Sequence, residues 1–143
     1  AIFNAPLDLH NHSRVAVECA LNIINNIEDV NTELEQEGLP CIAIGIGVNS
    51  GEAIIGNMGS ENRFDYTAIG DAVNIAARLE SATKERNVDL LIGEETELYC
   101  GFHLKTLEPI IVKGKAKALK IFTWDNSYKQ KNYCAKRKPL KIS

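Results

Sequence analysis

CIAIGIGVNSGEAIIGNMGSENRFDYTAIGDAVNIAARLE, residues 41–80, carries two hydrophobic periods in one stretch. Ile42, Ile44, Ile46 and Val48 alternate with Ala43, Gly45 and Gly47, the period of a strand with one branched face and one nearly bare face. A bare face lets a backbone, a helix or a ligand approach closely. Asn-Ser-Gly at 49–51 then turns the chain into a second strand, and the two are expected to form a hairpin. From Asp71 the period becomes helical, with Asp71 beside Gly70 read as the cap. Asn74 and Arg78 stand about one turn apart, so both side chains point the same way. The glycines do not make a dinucleotide loop, because position 50 is Ser where G-x-G-x-x-G needs Gly, and no Walker Lys follows.

Upstream, residues 1–5 read as the end of a strand and 6–11 as a loop. Asn11 can cap a helix running to about Gln36. Ala16, Ala20, Ile23, Ile24, Ile27, Val30 and Leu34 would form its buried stripe, and Glu28, Asp29, Glu33, Glu35 and Glu37 would face water. Gly38 and Pro40 end it. Downstream, 89–95 reads as a strand with His103 in a later one, 96–100 as a short turn of helix, and 102–124 as two strands around a Gly-containing turn. The fold class is mixed α/β with at least one antiparallel hairpin.

The chain of 143 residues suffices for one domain with a sizeable core, and its composition is that of a globular protein. No apolar run approaches a membrane span and no signal peptide is visible. The start, AIFNAP, lacks Met and reads as a piece cut from something longer. The four Cys include no C-x-x-C pair and suit a reduced compartment better than a disulfide framework or zinc site. His10 and His12 lack an acidic or Cys partner at ligand spacing. Residues 1–125 hold all 19 acids and 10 of the 16 bases, a net of −9, whereas 126–143 hold six bases and no acid. That basic tail is a solvated terminus or an electrostatic contact for a membrane surface or acidic partner. Nothing in it builds a nucleic-acid motif.

Arg78 has Asn74 and Ala82 at four residues and Ile75 and Ser81 at three, so no local acid neutralises it. Either a distant carboxylate or solvent takes it, or it is offered to an anion such as a phosphate, with the Asn74 amide beside it. Glu80 and Lys84 are expected to form an ordinary surface pair.

Residues 45–84, together with VKGKAKALKIF at 112–122, resemble the class III nucleotidyl cyclases, the adenylyl and guanylyl cyclase catalytic domain. AIFNAP also resembles the segment after that family's second metal-binding strand, so the likeness runs from residue 1 to about 125. It implies a ferredoxin-like α+β sandwich with antiparallel hairpins, whose N-terminal strands and helices are missing from this chain. It divides the chain into 1–125, the C-terminal portion of the catalytic domain, and the flexible tail 126–143.

The implied activity is conversion of ATP to 3′,5′-cyclic AMP and pyrophosphate, using two Mg²⁺ or Mn²⁺ ions whose Asp ligands would precede Ala1. An adenine-reading Lys is also expected upstream. The resemblance assigns Asn74 to the ribose, Arg78 to the transferring phosphoryl group, and Lys113, with Lys115 in reserve, to the triphosphate. The plain alternative for both lysines is an exposed basic turn. Thr67 would read the adenine edge, unless its hydroxyl is merely bonded to backbone. The Thr-bearing branch is associated with bicarbonate stimulation. The site forms between two domains packed head to tail, so the implied partner is a second cyclase domain, and the bare strand face with Gly56, Gly59 and Ser60 would suit that contact. The expected location is cytoplasmic, with membrane attachment elsewhere in the parent left open. The alternatives are a guanylyl cyclase and an inert cyclase-like domain that dimerises and regulates.

Overall fold

The structure is a computed structural model that describes residues 1–60, 63–111 and 118–125. Along the chain run helix α1 (His12–Gln36), strands β1 (Ile46–Val48), β2 (Ile54–Ser60) and β3 (Arg63–Ile69), helix α2 (Asp71–Arg86), strand β4 (Leu90–Gly93), helix α3 (Glu94–Cys100), and strands β5 (Leu104–Ile110) and β6 (Leu119–Trp124). The mixed α/β class with antiparallel pairing is as expected.

Four strands make one sheet in the order β1-β4-β6-β5. β4 is its centre, and Leu90, Leu91 and Ile92 are at most 2% exposed. An apolar run without alternation is what a strand covered on both faces requires. Leu90 and Ile92 pack with Val17 and Ala20 of α1 and Cys100 of α3. Leu91 packs with Leu79 and Ala82 of α2 and with Ile121 of β6. The period of two thus sorts the helices, α1 and α3 to one face and α2 to the other.

β1 pairs with β4 in parallel, Ile46 opposite Leu90 and Val48 opposite Ile92. The expected hairpin of β1 with the strand after Asn-Ser-Gly does not form. The hairpin lies one strand later, as a separate ribbon of β2 and β3, with Gly56 opposite Thr67. β1 is also shorter than expected: residues 41–45 are outside any strand, and Ile42 is 47% exposed.

The bare face of β1 belongs to α2. A Cβ added at Gly47 would stand 2.2 Å from the Ala76 carbonyl oxygen, and one at Gly45 would stand 2.1 Å from Thr83 Oγ1. Glycine there lets helix backbone lie directly on the strand, so this face is not free for a contact between domains.

Residues 1–5 form no strand, and His103 precedes β5 instead of lying in a strand. In α1 the buried face is Ser13, Val17 and Ala20, with Ile24 packed against it, while Ile23 and Val30 are 43% and 40% exposed. Of the expected stripe, Ala20 and Ile24 do lie on the packed face and Ile27 and Leu34 are half-buried along it, whereas Ile23 and Val30 turn away from it. Asn11 and Gly70 hold the N-cap positions of α1 and α2 without a side-chain cap bond, which makes Asp71 a first-turn acid and not the cap. Glu80 forms no ion pair with Lys84 and accepts instead from Ser81 Oγ at 3.3 Å.

α1 closes as expected at Gly38, whose φ of 72° is left-handed. The amides of Gly38 and Leu39 donate to the carbonyls of Glu35 and Leu34 at 3.1 and 2.8 Å. No atom lies within 4 Å of a Cβ added at Gly38. Gly38→Ala should therefore cost backbone strain alone, about 1–2 kcal/mol. A lower urea midpoint at unchanged slope is the expected result; an unmoved midpoint would contradict the left-handed turn.

Candidate active site

α2 presents two surfaces of opposite character. Leu79 and Ala82, 0% and 8% exposed, anchor it to β4 and β6, with Ile75 packed alongside. That fixes which face looks outward, and Asn74 and Arg78 stand on it, both exposed and one turn apart. Neither side chain makes a hydrogen bond or ion pair with any described residue, so Arg78 has no carboxylate partner there. A guanidinium left with its donors unused on a rigid helix is ready for an anion.

Arg78 borders an open groove of about 480 Å³ between the outer face of α2 and the end of β5, which also meets Ser81, Glu85, Ile110 and Ile111. Ser81 is committed within its own helix, its Oγ donating to the Ala77 carbonyl at 3.0 Å. Arg86, just beyond, donates to the Pro109 carbonyl at 3.3 Å and so ties α2 to β5 beside the groove. Ile111 is 86% exposed and ends the described segment there. Lys113 and Lys115 lie outside the described residues. Ser81 and Glu85 were not singled out from the sequence, although spacings of three and seven from Arg78 place them on its face.

Thr67 is partly exposed in the middle of β3, opposite Gly56. Its hydroxyl makes no hydrogen bond to a described residue, so the backbone-bonded alternative does not occur. A Cβ added at Gly56 would meet nothing within 4 Å, which leaves the ribbon open beside Thr67. No hydrogen bond joins Thr67 to Asn74 or Arg78. What connects them is the chain, which passes from β3 through Gly70 into α2.

Among the described residues no three His, Cys, Asp or Glu side chains are grouped so as to hold a metal ion. The described residues therefore do not by themselves make a metal centre. Cys19 and Cys100 form no disulfide among the described residues, and the Cys41 thiol donates to Glu35 Oε1 at 3.5 Å. No described helix is long and apolar enough to cross a membrane.

The family described as "Adenylate and Guanylate cyclase catalytic domain" matches residues 1–126. Adenylate cyclase 1 of Rhizobium meliloti is 33% identical over 124 residues, which are 85% of this chain and 19% of that protein. Among solved structures, the adenylyl cyclase CyaB from P. aeruginosa superposes with a TM-score of 0.75 at 27% identity, covering 84% of this chain and 63% of that one. The guanylyl cyclase Cya2 superposes with a TM-score of 0.72 at 28% identity, covering 84% and 61%. The chain thus spans about a fifth of that curated relative and less than two thirds of either solved chain.

Proposed function

The chain belongs to the adenylate and guanylate cyclase catalytic-domain family, and from that premise we propose that it is the nucleotide-reading and phosphoryl-stabilising part of an adenylyl cyclase. The reaction is ATP to 3′,5′-cyclic AMP and pyrophosphate. The ribose 3′-oxygen attacks the α-phosphorus, loses its proton, and displaces pyrophosphate through the bond to the β-phosphate oxygen. Charge gathers on the phosphoryl oxygens as this occurs, and fixed donors aimed at it lower the barrier.

The observation that carries the reading is Arg78, unpaired among the described residues at an open groove, with Asn74 one turn away. In this reading Arg78 donates to the α-phosphoryl oxygens and Asn74 orients the ribose. Thr67, its hydroxyl unspent, donates to and accepts from the N1 and N6 edge of adenine. Lys113, with Lys115 in reserve, meets the triphosphate from the segment that follows Ile111. The partner is a second cyclase domain packed head to tail, which supplies the metal-binding carboxylates that the described residues lack. Bicarbonate as an activator and a cytoplasmic location belong to the same reading.

The test is cyclic nucleotide formation from ATP and from GTP by a polypeptide that carries the complete catalytic domain. Cyclic AMP and pyrophosphate in equal amounts are expected, and absence of both cyclic AMP and cyclic GMP would overturn the reading. The 143-residue chain alone, given ATP with Mg²⁺ or Mn²⁺, should form no cyclic AMP. Product from that chain would show that the metal-binding carboxylates have been placed wrongly.

A further inference from the structure

Asn49, read from the sequence only as part of a turn, lies where three helices begin. Its Nδ2 donates to the Ala72 carbonyl at 3.0 Å, in the first turn of α2. Its Oδ1 rests against Gly93, where an added Cβ would stand 2.2 Å from it. The next residue, Ser50, hydrogen-bonds through Oγ to Ser13 of α1 at 3.1 Å and to Thr96 of α3 at 2.9 Å. Both of those hydroxyl residues are buried. One dipeptide beyond the end of β1 therefore holds α2 through its first residue and α1 and α3 through its second.

The Ala72 carbonyl is two residues ahead of Asn74 and six ahead of Arg78. Within α2 it already faces the helix's own amide ladder, and its second lone pair is free for a donor from outside. A donor arriving there sets how far the first turn is rotated and how deeply it sits. The buried anchors of α2, Leu79, Ala82 and Thr83, all lie later in the helix. The first turn, which carries Asn74, thus depends on this contact more than the last does.

We propose that Asn49 is a positioning residue of the cyclase site: its amide fixes the pose of the first turn of α2 and so aims Asn74 and Arg78. The inference rests on the reading that these two side chains serve phosphoryl transfer. A donor misplaced by about 1 Å can cost on the order of 10²-fold in rate.

Gly93 offers a second way to break the contact without touching Asn49 or α2. Its φ of −79° and ψ of 161° suit any residue. The methyl of Gly93→Ala strains no backbone and meets chiefly the end of the Asn49 side chain, the next atom beyond it being Leu79 Cδ1 at 3.6 Å. The amide must swing off Ala72 to admit it.

The experiment measures kcat and KM for ATP, with thermal midpoints, in a polypeptide carrying the complete catalytic domain. The variants are Asn49→Ala, Gly93→Ala, the double variant and Ser50→Ala. Asn49→Ala and Gly93→Ala should each lower kcat about tenfold or more with KM changed less than about threefold. The double variant should be no worse than the poorer single, since both remove one contact. Ser50→Ala should lower the thermal midpoint yet keep kcat within about twofold, because its bonds reach α1 and α3 and not α2. Undiminished kcat in Asn49→Ala or Gly93→Ala overturns the inference, as does an equal kcat loss in Ser50→Ala, which would mean general loosening. An unsubstituted protein inactive on both ATP and GTP overturns the cyclase reading itself.

Discussion

Arg78→Ala, introduced into a polypeptide that carries the complete catalytic domain, is expected to fold, dimerise and turn over slowly. The side chain is exposed and unpaired among the described residues, so its removal leaves no buried group without a partner and should shift stability by less than about 0.5 kcal/mol. The loss should fall on kcat. Removing one donor aimed at developing charge typically costs on the order of 10²–10³ in rate, about 3–4 kcal/mol. KM should change little, because the contact strengthens only as charge develops. Arg78→Lys should recover part of the loss, since an ammonium carries the charge but not the planar fork.

In the proposed reading the site is shared between two domains, which adds a sharper test. Arg78→Ala protein and a variant lacking the metal-binding carboxylates are each defective at both sites of their homodimers. A heterodimer of the two retains one site with both halves intact. Cyclic AMP production by the mixture should therefore exceed that of either variant alone. A mixture that stays inactive while heterodimers demonstrably form would sink the across-interface role of Arg78.

The parts of this molecule that were legible in the sequence are those written in local spacing. α2 could be placed because Asp71 to Arg86 holds a helical period, and the Asn74–Arg78 pair stood out because nothing nearby neutralises it. β4, β5 and β6 were legible as apolar runs between turns. Pairing was not. The alternation in residues 42–48 tells which side chains share a face, but not that the partner of β1 would be Leu90–Ile92, more than forty residues on. The β2–β3 ribbon was hidden because Gly56 and Gly59 blunt the alternation of β2. The bare face allowed a backbone, a helix or a ligand, and only the packing of Ala76 and Thr83 decides for the helix.

The site was legible in a different way. Arg78 and Asn74 follow from helix geometry, whereas roles for Thr67 and Lys113 came from resemblance. Asn49 was missed because its function is a single long-range hydrogen bond to a carbonyl, which no local pattern encodes.

The choice of purine is where one side chain should show most clearly in a ratio. The solved cyclases that superpose on this chain include an adenylyl and a guanylyl enzyme at TM-scores of 0.75 and 0.72, so the fold does not choose between them. Thr67 does, in the reading proposed here. A site built to hydrogen-bond one base edge rejects another by about 10²-fold or more, because the wrong edge leaves its polar groups unpaired. The complete domain should therefore favour ATP over GTP by at least about that factor in kcat/KM. Thr67→Cys keeps nearly the same size and replaces the hydroxyl with a weak donor and acceptor. Since the hydroxyl bonds to no described residue, the substitution breaks nothing in the folded chain, and the thermal midpoint should hold. The kcat/KM for ATP should fall about two- to tenfold, the order of one hydrogen bond at about 0.5–1.5 kcal/mol. GTP turnover should stay poor, because discarding an adenine contact does not build a guanine one. Steady-state assays with both nucleotides read the ratio directly. A protein whose kcat/KM favours GTP would make this chain part of a guanylyl cyclase, and a ratio unmoved by Thr67→Cys would take Thr67 out of the base-reading role.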